Sequence, residues 1–202
     1  HVGLLMANCP EYIECLLGLQ CLGAIAVPMN ARYKPDELAY VVSNAELKLI
    51  VTHDLISEYA DFGRLLLEAA ALSKPEALSA MVMLGGQRAG FMTQADFEAA
   101  GVNSDQSAVL ETLRAVSSED TAIMMYTSGT TGLPKGAMIS HNNLISNAQT
   151  LISAWGWTSA DVMLHTLPIF HVHGLFVGLH LPLLTGCSMI FQPSFEAAAV
   201  RT

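Results

Sequence analysis

Charge is what this sequence has least of. Asp, Glu, Lys and Arg make up 13% of it and hydrophobic residues 52%, where about 25% charged residues is ordinary for a soluble domain. Much of the chain must therefore lie inside a fold, and some of its surface is suited to meeting further protein. Positive charge is the scarcer sign: nine Lys+Arg face 18 Asp+Glu, a net charge of −9. That excludes a sequence-independent grip on nucleic acid or anionic lipid, so any phosphate-bearing ligand has to be held by a local arrangement. No apolar run is long enough for a membrane span. Gln20 and Pro28 interrupt the first long run and His180 and Pro182 the second, which points to a soluble protein. Cys9, Cys15, Cys21 and Cys187 show no Cys-x-x-Cys spacing and have apolar neighbours, so they read as reduced core thiols. This suits a cytoplasmic location, with mitochondria or another organelle as the alternative. No signal peptide is visible, and there is no repeat or low-complexity tract beyond small alanine runs near 70 and 198.

Short runs rich in Val, Ile, Leu and Met recur at 2–6, 24–28, 48–52, 80–84, 122–127, 162–166 and 188–192. They do not alternate apolar with polar, which predicts strands covered on both faces, as in a parallel sheet. Helical stretches fall between them. Residues 11–22 follow Pro10 and 36–43 follow Pro35, prolines suited to a first helical turn; 55–69 follow Asp54, a candidate N-cap. Asn142 is placed to cap a helix over 143–155, and an apolar helix is expected over 174–184 with Pro182 near its end. Residues 85–120 give weaker signals: a turn at Gly85-Gly86, a short helix over 93–100 and a polar connection over 103–106. Strand and helix in alternation argue a layered α/β fold with a largely parallel sheet and flanking helices. The chain opens on His1 and reaches a strand-like run at once, which reads as a piece cut from a longer protein.

The densest chemical signal is Tyr126-Thr127-Ser128-Gly129-Thr130-Thr131-Gly132-Leu133-Pro134-Lys135-Gly136. Its glycines let backbone N–H groups point inward, its hydroxyls donate hydrogen bonds, and Lys135 adds a full positive charge, a composition suited to wrapping phosphates. A solvated Gly/Ser linker has no need of a lysine and a proline packed in behind a buried strand. The Walker pattern does not fit, because that motif requires Gly-Lys-Ser/Thr feeding directly into a helix. Here Lys135 is followed by Gly136 and the short apolar stretch Ala137-Met138-Ile139, so strand, loop and short strand are expected.

This run closely resembles the signature loop of the adenylate-forming superfamily, which includes acyl-CoA synthetases, luciferases and peptide-synthetase adenylation domains. Two further segments stand in the family's order. Leu19-Gln20-Cys21-Leu22-Gly23-Ala24-Ile25-Ala26-Val27-Pro28-Met29-Asn30 is similar to the upstream helix-to-strand motif, and Pro168-Ile169-Phe170-His171-Val172-His173-Gly174 to the acyl-pocket motif. The resemblance covers essentially all of residues 1–202. It implies part of an N-terminal acyl- and ATP-binding domain, with the beginning of that domain, its later part and the C-terminal domain lying outside this sequence.

By the same resemblance, a carboxylate attacks the α-phosphorus of ATP to give acyl-AMP and pyrophosphate, and CoA thiol then displaces AMP. Mg²⁺ accompanies the ATP. Thr127, Ser128, Gly129, Thr130, Thr131, Gly132 and Lys135 are the implied ATP and pyrophosphate binders. Lys135 is expected to offset charge on the leaving pyrophosphate, and Thr131 is a candidate Mg²⁺ ligand. The family's ribose-binding aspartate motif, hinge and C-terminal adenylation lysine do not occur within the 202 residues, so this piece alone is expected to be inactive. No certain catalytic residue is assigned.

His171 and His173 are the acyl-pocket candidates. Amino-acid-activating members resemble one another in placing aspartate after the phenylalanine, where it pairs with the substrate ammonium. Histidine at 171 instead favours an organic acid destined for CoA, and His171-Val172-His173-Gly174-Leu175-Phe176 is similar to malonyl-CoA and related short-chain synthetases. A His-x-His pair can also hold a metal, but no Cys or carboxylate at ligand spacing accompanies it. His173 reads equally as a helix-mouth residue bonded to backbone. Arg32 is read as a surface salt-bridge partner before a nucleotide contact. Two other functions stay open: a non-catalytic nucleotide- or pyrophosphate-binding module and, disfavoured by His171, a peptide-synthetase adenylation domain. The oligomeric state is not legible.

Overall fold

Runs of apolar residues with no polar alternation need cover on both faces, and they receive it. A computed structural model describes residues 1–56, 60–102, 104–127 and 132–201. Its main sheet has seven strands: β1 (Val2–Leu5), β2 (Ala26–Pro28), β3 (Leu49–His53), β4 (Ala80–Leu84), β5 (Met92–Thr93), β6 (Thr121–Thr127) and β7 (Lys135–Ser140). Their order is β5-β4-β3-β1-β2-β6-β7, parallel throughout except for β7, which returns antiparallel beside β6. The expected layered, largely parallel α/β architecture is the one found.

Helices divide between the two faces. Helix α1 (Pro10–Cys21) buries Tyr12 and Leu16 in a cluster with Leu4, Val51 and Ile123. Helices α2 (Pro35–Asn44) and α3 (Phe62–Ser73) cover the other face, with Leu38, Val42, Phe62 and Leu66 against Leu5, Val27 and Ile50. Val51 and Ile50, neighbours in β3, thus enter opposite cores, as the two-residue strand period requires. Burying each such side chain contributes about 1.5–3 kcal/mol, which is why charge is so sparse here. Among the described residues no helix is long and apolar enough to cross a membrane.

Several boundaries differ from expectation for local reasons. The helix anticipated after Asp54 begins at Phe62 and is capped by Asp61, whose side chain accepts from the Arg64 N–H at 2.9 Å. Asp54 instead prolongs the ladder, donating its N–H to the Leu84 carbonyl. Leu55 then lies over Gly85, where an added Cβ would come within 2.2 Å of it. Helix α6 (His141–Trp155) is capped by Ser140 in a reciprocal pair with Asn143 rather than by Asn142. The weak stretch contains α4 (Gln94–Val102) and the unforeseen α5 (Gln106–Ala115), capped by Asp105. Neither buries a residue.

Strands β8 (Val162–His165) and β9 (Ser188–Phe191) form a separate parallel pair. The single helix expected over 174–184 is split into a π-helical turn, His173–Val177, and α7 (His180–Thr185). Pro182 has no N–H to give to the carbonyl of Gly178, so it is tolerated only where a helix restarts around it. At Gly178 any Cβ would also meet the Gly174 carbonyl oxygen at 2.6 Å and the His165 ring at 2.6 Å.

Candidate functional site

The described ends of the signature run lie in the two strands of a hairpin. Strand β6 is the last parallel strand and β7 reverses beside it, pairing Thr127 with Lys135, Tyr126 with Gly136 and Met124 with Met138. Directly opposed residues of an antiparallel pair share a face, so Thr127 and Lys135 stand together as the last pair before the connecting residues, both exposed. Ser128, Gly129, Thr130 and Thr131 lie outside the described residues. Gly132 is exposed, with no described atom within 4 Å of where a Cβ would sit. Gly136 has a packing reason: a Cβ there would meet Met124 at 2.9 Å and Tyr126 at 3.4 Å.

The histidine segment reaches the same carboxyl edge of the sheet through Asn8, which sequence reasoning passed over. Asn8 follows β1, is 3% exposed, and ties three remote backbone groups. Its Nδ2 donates to the carbonyls of Leu167 at 2.8 Å and Gln192 at 3.1 Å, and its Oδ1 accepts from the Ile169 N–H at 2.8 Å. A lone asparagine inside Leu4-Leu5-Met6-Ala7-Asn8-Cys9 was the available signal, since a polar group in an apolar run has to find partners. The next residue, Phe170, is buried in the core cluster of Met29, Ala31 and Met124.

His171 and His173 therefore part company. The His171 ring lies against Phe170, with centroids 4.8 Å apart, and its edge is open to solvent. Partial burial, aided by the positive charge of Arg32, pushes its pKa below the ordinary imidazole value. It is thus a neutral donor and acceptor at neutral pH. No ion pair to Arg32 occurs among the described residues, contrary to the surface salt bridge expected of it; its charge bears on His171 instead. His173 begins the π-helical turn and lines a cavity of about 260 Å³ with Trp155, Met163, His165 and Gly178. His165 forms that cavity's buried wall, bonded through Nε2 to the Gly174 carbonyl at 2.8 Å. A separate apolar crevice of about 300 Å³, lined by Leu19, Leu49, Val51, Leu84 and Phe97, lies toward β4 and away from the hairpin.

Exposed hydroxyl, glycine and lysine at the carboxyl edge of a parallel sheet form a donor set for phosphate oxygens. No group of three or more His, Cys, Asp or Glu able to hold a metal occurs among the described residues. Mg²⁺ commonly binds through phosphate oxygens with one or two protein ligands, and Thr131, its candidate ligand, lies outside the described residues.

The sequence model of the AMP-binding enzyme family matches residues 1–202. This chain belongs to the AMP-binding enzyme family. Acyl-CoA ligase sidI of Beauveria bassiana (strain ARSEF 2860) is 34% identical over 201 residues, 98% of this chain and 34% of that protein. A mitochondrial malonate–CoA ligase of Xenopus laevis is 31% identical over 201 residues, 96% of this chain and 30% of its own length. Among solved structures, ATP-bound MatB from Rhodopseudomonas palustris superposes with a TM-score of 0.69 at 30% identity, covering 98% of this chain and 36% of that one. This AMP-binding enzyme chain thus spans about a third of the length of the curated relatives it matches.

Proposed function

We propose that the chain is the acyl- and ATP-binding part of the N-terminal domain of an AMP-forming acyl-CoA synthetase. The observation that carries this reading is the pairing of Thr127 with Lys135 at the connecting end of the β6–β7 hairpin, on the carboxyl edge of the parallel sheet. In the proposed reaction a carboxylate oxygen bonds to the α-phosphorus of ATP while the bond from that phosphorus to the bridging oxygen breaks, and the electron pair leaves with pyrophosphate. Thr127 and Gly132, with Ser128, Gly129, Thr130 and Thr131 between them, hold the β- and γ-phosphates. Lys135 offsets charge growing on the departing pyrophosphate, an interaction stronger in the transition state than in bound ATP. Mg²⁺, if bound, neutralises phosphate charge, with Thr131 as its protein ligand. A CoA sulfur then attacks the acyl carbon and AMP leaves with the bonding pair.

The neutral ring of His171 orients the acid, and His173 faces the cavity beside the same segment. A neutral imidazole does not supply the negative charge an amino-acid ammonium needs, so an organic acid is the substrate class. Malonate heads the acids to test because relatives named for malonate align over nearly the whole chain. The test is pyrophosphate release by the full-length protein with malonate, acetate, medium-chain and aromatic acids. Release that depends on one of them is expected; acid-independent or absent release throughout the panel overturns the reading.

A further inference from the structure

We infer that the hydroxyls of Tyr40 and Tyr126 are positioning groups that hold the two limbs of the phosphate hairpin to α2, an inference that rests on the function proposed above. The Tyr40 hydroxyl donates to the Pro134 carbonyl at 2.8 Å, one residue before Lys135. The Tyr126 hydroxyl, one residue before Thr127, donates to Asn44 Oδ1 at 2.7 Å. Each limb of the hairpin is therefore fastened once. Both fastenings reach the same helix, where residues 40 and 44 lie one turn apart on one face. The two rings complete the clasp edge to face, with centroids 6.3 Å apart. Burial pushes the Tyr126 hydroxyl up to about 12, so it remains a donor through the physiological range.

The arrangement works from behind. Tyr126 and Gly136 are paired and face α2, and the missing side chain of Gly136 lets the tyrosine ring lie across β7. Thr127 and Lys135, the next pair along, face the opposite side. The clasp thus grips the hairpin without covering the groups assigned to phosphate. Its value is entropic: a loop between two free limbs must be ordered when ligand arrives, whereas limbs pinned beforehand have lost that freedom already. Helix α2 itself does not depend on these bonds, since Leu38, Ala39, Val41 and Val42 anchor it in the core. Both tyrosines are only half-buried, so loss of a hydroxyl leaves the fold standing.

The test is steady-state pyrophosphate release by the full-length protein and its Tyr40→Phe, Tyr126→Phe and doubly substituted forms. Melting temperature is recorded for each. A hydrogen bond of this kind is worth about a 2- to 13-fold change in an equilibrium constant. Each single variant should raise KM for ATP about 3- to 10-fold, and the double variant more, with KM for the acid unchanged and melting shifted by no more than a few degrees. A purely structural role would move both KM values and the melting temperature together, and that result, or an unchanged KM for ATP, overturns the clasp. If the unsubstituted full-length protein releases no pyrophosphate with any acid, the underlying functional reading fails, and this inference with it.

Discussion

The centre of the sheet and its β6–β7 edge are built on opposite rules. Strands β1 and β3 place Leu4, Leu5, Ile50 and Val51 in two cores, each no more than 2% exposed, with helices on both sides. Three strands from β1, β7 leaves Lys135, Ala137 and Met138 open, and its partner β6 emerges from the core at Tyr126 and Thr127. The centre spends its residues on stability, while the edge keeps polar groups accessible and is held by a few directed hydrogen bonds. Substitutions should separate the two regions: central ones alter folding first, and edge ones alter ligand use first.

The largest expected effect is in the centre. Leu4→Ala or Leu16→Ala empties a fully buried site and should lower unfolding free energy by about 2–5 kcal/mol, measured by urea titration. Next is Lys135→Ala in the full-length protein, which should lower kcat/KM for ATP about 100-fold with a melting temperature close to the parent's, as expected when one preorganised charge partner is removed. If melting falls as far as in the core variants, the division between centre and edge is wrong. Asn8→Asp comes third. It keeps the acceptor for Ile169 but sets a carboxylate oxygen against the carbonyls of Leu167 and Gln192. The loss should be about 1–3 kcal/mol in all, since both carbonyls are only part-buried, with KM for the acid raised more than KM for ATP.

A smaller effect is set by pH. Burial lowers the pKa of His53, His165 and His180, and of His171 together with Arg32. Each therefore binds a proton more readily in the unfolded chain than in the folded one. Stability from this source is fully present above the unfolded value, about 6.5, and is lost as pH falls through that value toward the lowered folded ones. The urea midpoint should decline between pH 7.5 and 5.5; a midpoint that rises contradicts the assignment. At the small end, Met138→Thr on the exposed edge, where Met138 is 52% exposed, should change unfolding free energy by less than about 0.5 kcal/mol.

Much of this contrast is legible in the sequence. The runs at 2–6, 48–52 and 80–84 do not alternate apolar with polar, which reads as strands covered on both faces. Gly136 and Lys135 followed by an apolar stretch excluded a Walker helix, and β7 stands where that reading placed a short strand. The histidine segment was found but not divided: a His-x-His spacing does not reveal that Phe170 enters the core and turns His171 toward Arg32 while His173 begins a π-helical turn. Residue type pointed to Asp54 as a cap, a criterion that Asp61 also meets. The choice between them fell to the Asp54 N–H, which the Leu84 carbonyl takes into the sheet. Helix α5 was missed because it buries nothing, so no apolar stripe facing a core announces it.

The sequence by itself determined which segments are interior and which run gathers glycines, hydroxyls and a lysine, because apolar transfer and backbone permissiveness act residue by residue along the chain. Tertiary structure alone decided how the site is held together. Asn8 meets Leu167 and Gln192 across more than 150 residues, and Tyr40 meets Pro134 across 94. Such partners are chosen by where strands lie side by side, and no local spacing encodes that choice.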